Sequence, residues 1–257
     1  MHGSTRWHVF TDADAIAAEA VRRFLAAAAT AITARGVFRI VLTGGHTPIR
    51  TYQLLSRAAV DWAGWQIYFS DERCSPPTHA ARNSRAAALA WLDQVLIPKA
   101  NIHPIPAELG PAAATIAYSQ VVSTALPFDL VTLGMGENGH TASLFPDQVH
   151  PITESAPSVR GTPKPPPDRV SLSAHTLSNA HEILILVTGT GKRQAVAAWR
   201  AASPCQQPIS AVKQAWTPYS TKPPPRSDFV GQGCPTSFQA PTCLKTRRKT
   251  KCFRFAA

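Results

Sequence analysis

Four short apolar runs, each closed by a turn of glycine or polar residues, constrain the fold of this chain more than any other feature. They are Val37–Thr43, Trp65–Ser70, Phe128–Leu133 and Glu182–Val187 in a chain of 257 residues. Runs so short and so uniformly apolar suit strands buried on both faces. Helix-length segments lie around and between them: Ala13–Ala34, a segment opened by Pro48 that reaches about Arg57, Ala80–Leu96, Ala112–Thr124, and one from Lys192. Pro48 suits a first helical turn, where the N–H it lacks would have no partner anyway. Val170–Ser173 reads as a further short strand, and the proline-rich Pro151–Arg169 before it as a long loop. Strands alternating with helices predict an α/β fold with a mainly parallel sheet covered by helices on both faces.

The turns after the strands carry the chemistry. The most specific is Gly134-Met-Gly-Glu-Asn-Gly-His-Thr-Ala-Ser-Leu-Phe-Pro146. Its glycines let the backbone turn tightly and approach a ligand. They place one imidazole, His140, at the carboxyl end of a strand, where open α/β sheets bind ligands. In Thr43-Gly-Gly-His-Thr-Pro48, the N–H groups around Gly44 and Gly45 and the Thr47 hydroxyl can cradle a phosphate. Taken alone, that turn reads equally as a tight strand-to-helix connection. Ser70-Asp-Glu-Arg73 sets three charges at a strand end; Arg73 can fork onto a phosphate or carboxylate, or belong to a surface ion-pair cluster. Thr188-Gly-Thr-Gly-Lys192 repeats the theme, with Lys192 as a point charge. Walker spacing, a dinucleotide fingerprint and a Gly-x-Ser-x-Gly elbow are all missing. The other histidines make no metal-ligand spacing.

Composition narrows the class. Apolar residues are 44% and charged residues 16%, a globular balance. No apolar run reaches the roughly 18 residues of a membrane span. The amino terminus lacks the layout of a secretory signal, so a cytoplasmic protein is expected. The net charge of +11 invites a nucleic-acid reading. Its distribution argues against one, because residues 215–257 hold eight Lys/Arg and one Asp, leaving the preceding part near neutrality. Five cysteines, three of them in that tail, form no disulfide framework.

Together these motifs resemble the 6-phosphogluconolactonase family, in the superfamily that also holds glucosamine-6-phosphate deaminases. The resemblance runs from about residue 8 to about Gln214. In order it covers Leu42–Pro48, Phe69–Arg73, Arg82-Asn83 before a helix, Gly134–Pro146, Pro167-Asp-Arg-Val170 and Val187–Lys192. It implies a doubly wound, Rossmann-like α/β fold, and hydrolysis of 6-phospho-D-glucono-1,5-lactone to 6-phosphogluconate in the oxidative pentose phosphate pathway, with no metal or organic cofactor. A diffusible sugar-phosphate lactone is the expected partner, and the chain is expected to act as a monomer or homodimer.

The resemblance gives the residues roles. His140 is the expected general base. Arg73 steadies negative charge at the ester carbonyl or the phosphate. Gly44, Gly45, Thr47, Arg73 and Lys192 form the phosphate grip. Asp71 orients a sugar hydroxyl or the imidazole, and Ser143 adds a hydroxyl contact. Asn138 departs from the family pattern, since members often carry Asp there; an amide orients the imidazole without adding charge, and leaves Asp71 or Glu137 as alternative bases. His46 stands where a small hydroxyl residue is common. The deaminases follow the glycine-rich turn with Phe-Asn-Glu-Pro, whose Glu joins the catalytic His. Here Ser143-Leu-Phe-Pro146 puts Phe145 in that place, which favours the lactonase. An inactive sugar-phosphate-binding relative is the remaining alternative.

Residues 1–214 read as a single domain. From 215 the text turns basic, rich in Pro and Cys and without periodicity, as in a disordered tail. Reading the gene one base earlier from Ala215 permits Val-Asp-Ala-Leu-Leu-Asp-Glu-Ala-Ala-Ala-Gln-Ile and then a stop. That is an amphipathic helix of the kind with which the family closes. Residues from about 215 onward therefore read as the product of a frameshift.

Overall fold

The computed structural model describes residues 6–146, 148, 150–151, 153–201 and 216–220. In chain order its elements are β1 (His8–Val9), α1 (Ala13–Arg35), β2 (Phe38–Leu42), α2 (His46–Leu55), β3 (Trp65–Phe69), β4 (Asp71–Arg73), α3 (Asn83–Ala87), α4 (Pro111–Ser123), β5 (Phe128–Gly134), β6 (Ser158–Val159), β7 (Arg169–Ser171), α5 (Ala174–Ser178), β8 (Ala180–Val187), α6 (Arg193–Ala201) and β9 (Trp216–Ser220).

The predicted strands pair with one another. The main sheet runs β1-β9-β8-β5-β2-β3, and all its pairings are parallel. From β2 the chain moves to the edge at β3; from β5 it moves the other way, through β8 to β9. The winding therefore reverses between β2 and β5, and a crevice opens at their carboxyl ends. Strand β5 is buried along almost its whole length, as a parallel strand covered on both faces must be.

Local signals set the helix ends. Asp12 caps α1 by accepting the N–H of Ala15 at 2.8 Å. Gly36 closes the helix at φ 73°, where its N–H bonds to Ile32 O. Ile16, Ala20, Phe24, Ala28 and Ala31 recur every three or four residues and are buried. At the β3 edge, Trp62, Trp65 and Trp91 pack edge to face, with centroids 4.9 Å and 5.7 Å apart for Trp62–Trp65 and Trp65–Trp91.

Three expectations are revised. The expected helix Ala80–Leu96 begins only at Asn83 and passes into a π-helical turn at Ala88–Leu92. Arg82 is held extended (φ −69°, ψ 130°) while its guanidinium donates to Ser75 O and Ile105 O, so helix cannot start earlier. The strand expected at Val170–Ser173 is β7, and it leaves the main sheet. It pairs antiparallel with β4 and β6 in a small second sheet that sets Arg169 opposite Arg73. The segment assigned to the tail at 216–220 is β9, paired with β8 and, at its end, with β1. Pro218, in register with Ile185 of β8, and the absent alternation hid it. The rest of the expected tail lies outside the described residues.

Two buried tyrosines brace the strand ends that face the crevice. The Tyr52 hydroxyl accepts the N–H of Thr43 at 3.0 Å and donates to its carbonyl at 2.9 Å. Tyr118 does the same for Phe69, at 2.8 Å and 3.2 Å. Burial pushes the Tyr52 phenol far above its ordinary range, so it stays a neutral donor. Replacing Tyr52 with Phe leaves two buried backbone groups unpaired. It should lower the unfolding free energy by about 1–3 kcal/mol in urea titration; an unchanged midpoint and slope would refute the brace.

Candidate active site

The crevice holds a cavity of about 360 Å³. Its floor is the carboxyl ends of β2, β5 and β8, and one wall comes from β4 and β7. Of the residues expected from sequence, Gly44, Gly45, Thr47, Asp71, Arg73, His140 and Lys192 line it, together with His46. Two others take supporting places. Asn138 bonds to the His140 ring, and Ser143 is fully buried behind Asp71.

The loop after β5 is folded around the imidazole. Gly136 N–H donates to His140 O at 2.7 Å, and Thr141 Oγ1 donates to Gly134 O at 2.9 Å. A Cβ on Gly136 would lie 2.0 Å from the His140 ring, so the ring sits there only because that residue is glycine. Gly139 turns the chain at φ 82°, and Ala142 adopts φ 49°, a left-handed conformation rare for a residue with a Cβ. Strain of this sort is held in place by the surrounding bonds.

Asn138 decides the tautomer of His140. Its Oδ1 lies 3.3 Å from the His140 backbone N and 2.5 Å from Nδ1. The backbone N–H can only donate, so the shared atom is the amide oxygen and Nδ1 carries the ring proton. Nε2 is left with a free lone pair, as a base requires. Asp71 has no part in this. Its carboxylate accepts from Ser70 Oγ (3.0 Å), Asn83 Nδ2 (3.0 Å) and Ser143 Oγ (2.6 Å), so the expected Asp71–imidazole bond is replaced by the one from Asn138. Phe145, buried, packs against the imidazole with ring centroids 4.6 Å apart and planes tilted by 30°. The Arg169 guanidinium lies 5.8 Å from the Phe145 ring.

Sequence reasoning assigned no role to Lys164 and Arg169, and both line the cavity. Arg169 is buried and pinned by donation to Lys164 O (2.8 Å) and Pro166 O (3.3 Å), which ties the proline-rich loop to the site. The Pro167-Asp-Arg-Val170 motif marked Arg169 as a family feature, but only the pairing of β7 with β4 shows what it faces. Lys164 lay hidden among prolines in a segment with no periodicity.

The cavity thus carries Arg73, Lys164, Arg169 and Lys192 against one lining carboxylate, Asp71. Such a balance suits a multiply charged anion. Burial, then Lys164, holds the His140 imidazole down to about 4; Arg169 and Lys192 push the same way and Asp71 opposes them. Burial also lowers Lys192 and Arg169 from their ordinary values. The Thr47 and Thr188 hydroxyls, 2.6 Å apart, tie the turn after β2 to the turn after β8. Among the described residues no group of three or more His, Cys, Asp or Glu is placed to hold a metal ion, and no helix is long and apolar enough to cross a membrane.

A crevice at the switch point of a doubly wound sheet, lined by an imidazole and four cations, suits a phosphorylated small molecule. The sequence model of the glucosamine-6-phosphate isomerases/6-phosphogluconolactonase family matches residues 11–219, and the chain belongs to that family. A 6-phosphogluconolactonase of Mycobacterium tuberculosis is 37% identical over 211 residues, 76% of this chain and 85% of the relative. One from Treponema pallidum is 36% identical over 222 residues, 82% and 88% of the two chains. The crystal structure of 6-phosphogluconolactonase from Thermotoga maritima has the same fold, with a TM-score of 0.77 at 24% identity, covering 84% of this chain and 99% of that one.

The charge environment makes a direct prediction. In an NMR titration the His140 ring should stay neutral until the pH falls to about 4. Asn138→Asp puts a negative charge beside the Nδ1 proton, favours the imidazolium and should move the midpoint upward. A midpoint that does not respond would remove Asn138 from contact with the ring.

Proposed function

We propose that this chain hydrolyses 6-phospho-D-glucono-1,5-lactone to 6-phosphogluconate, the ring-opening step of the oxidative pentose phosphate pathway. The observation that carries the reading is the His140 ring held at Nδ1 by Asn138 in a cavity lined by four cations. Nε2 removes a proton from water as its oxygen attacks the lactone carbonyl carbon. The carbonyl oxygen becomes an oxyanion, whose charge the cationic lining of the cavity, Lys164 and Arg169 included, would favour. Collapse breaks the bond to the ring oxygen, which leaves with the proton from the imidazolium. The acid product ionises and His140 returns to its starting state. The turn at Gly44 and Gly45, Thr47, Arg73 and Lys192 grip the phosphate.

Phe145 favours this chemistry over deamination. Its buried ring stands against the imidazole where a proton-sharing carboxylate would be needed, and an apolar ring moves no protons. The identities of 36–37% to proteins named 6-phosphogluconolactonase support the same choice. The enzyme is read as cytoplasmic, with the soluble lactone as its partner.

Freshly prepared lactone should be hydrolysed well above its spontaneous rate; no excess rate would leave a sugar-phosphate-binding relative. His140→Ala should lower kcat about 10²–10⁴-fold with product affinity nearly unchanged. Retained turnover would end the role of His140. The acid limb of kcat/KM, which reports the free enzyme, should fall near pH 4. That of kcat should lie higher, because a bound phosphate dianion favours the imidazolium.

We also propose that the chain from about 215 is written in a shifted frame. The pairing of β9 does not oppose this, since a strand ladder uses backbone groups, which every residue but proline supplies in full. Resequencing the gene should show a one-base change near codon 215; an intact frame overturns the idea.

A further inference from the structure

Asp71 and Arg73 are one residue apart in the same cavity wall, with opposite charges, yet they form no ion pair with each other among the described residues. What stands between them is Asn83. Its Nδ2 donates to the Asp71 backbone oxygen at 2.9 Å and to the Asp71 carboxylate at 3.0 Å. Its Oδ1 accepts from Arg73 Nη1 at 2.7 Å. The partners fix the orientation of the amide, since its donor end meets the carboxylate and its acceptor end meets the guanidinium.

The amide cannot drift. Asn83 is buried, and its Oδ1 is only 2.0 Å from where a Cβ on Gly44 would be, so the turn after β2 closes over it. Its backbone is held from below by Glu72, which is fully buried. The Glu72 carboxylate accepts the N–H of Asn83 at 2.7 Å, the N–H and hydroxyl of Ser84 at 2.8 Å and 2.7 Å, and the N–H of Arg73 at 3.0 Å. Arg82 pairs with the same carboxylate at 3.2 Å. This carboxylate therefore anchors both the spacer and the strand that carries the two charges.

We propose that Asn83 is a positioning residue that keeps Arg73 and Asp71 from neutralising each other, so that Arg73 stays free for the substrate's anionic group. Arg73 spends Nη1 on Asn83 and Ala81 O, and its other nitrogens make no hydrogen bond to any described residue. Without the amide, the guanidinium has a carboxylate within its own strand to collapse onto, and close opposite charges attract more strongly in a poorly solvated wall than in water. The inference rests on the lactonase reading of the site and goes beyond it by naming what sets the availability of Arg73.

A double-mutant cycle tests it. Arg73→Ala, Asn83→Ala and the double variant are assayed for lactone hydrolysis and for 6-phosphogluconate binding, with thermal melts to confirm folding. Asn83→Ala should raise KM and weaken product binding about tenfold, with a smaller effect on kcat. In the Arg73→Ala background the same change should do little, since the group it protects is gone. If Asn83→Ala does not fold, Asn83→Asp has nearly the same volume, loses the donor to Asp71 and sets a second carboxylate on Arg73, so it should weaken anion binding by a similar factor. Additive effects, or wild-type KM and product affinity in a folded Asn83 variant, overturn the spacer role while the lactonase reading stands. Wild-type kinetics for Arg73→Ala would instead overturn the assignment of Arg73 and the proposal with it.

Discussion

The hydrogen bonds that converge on the Asp71 carboxylate tie together parts of the chain that are far apart in sequence. Ser70 reaches it from the end of β3, Asn83 from the start of α3 and Ser143 from the loop after β5. Ser143 N–H in turn donates to Ser171 Oγ at 3.2 Å, which brings in β7. A carboxylate this buried is tolerable only because its oxygens are satisfied by the protein, and the same bonds then act as rivets. The cavity wall keeps its shape because these segments cannot shift independently.

The imidazole is prepared by a different kind of constraint. Gly136 leaves room for the ring, Phe145 fills its face, and Asn138 sets the tautomer from within the same turn. The cations around the cavity, together with burial, disfavour the imidazolium. Asn138, a neutral amide, adds no charge to oppose them. In the proposed reaction His140 would act as a weak base held neutral at neutral pH, and a bound dianion would favour its protonation.

Much of the architecture was legible in the sequence because its signals are local. Buried parallel strands need continuous apolar runs, and Phe128–Leu133 and Glu182–Val187 could hardly be anything else. Helix α1 announces itself by Asp12, its apolar spacing and Gly36. The misjudged elements lacked such signals. The start of α3 is delayed by the hydrogen bonds of Arg82 to carbonyls elsewhere in the fold, and β9 carries a proline and no alternation.

By itself, the sequence determined the alternation of buried strands with helices and the presence of His140 on a glycine turn at a strand end. Both follow from periodicity and from backbone freedom over a few residues. Only the tertiary structure decided which side chains share the cavity. Lys164 and Arg169 face His140 because β7 pairs with β4 across about a hundred residues, and Asp71 is taken up by serine and asparagine partners rather than by the imidazole. Register between distant strands is set by the packing of the whole core, and no local pattern at Arg169 or Lys164 encodes what they will meet.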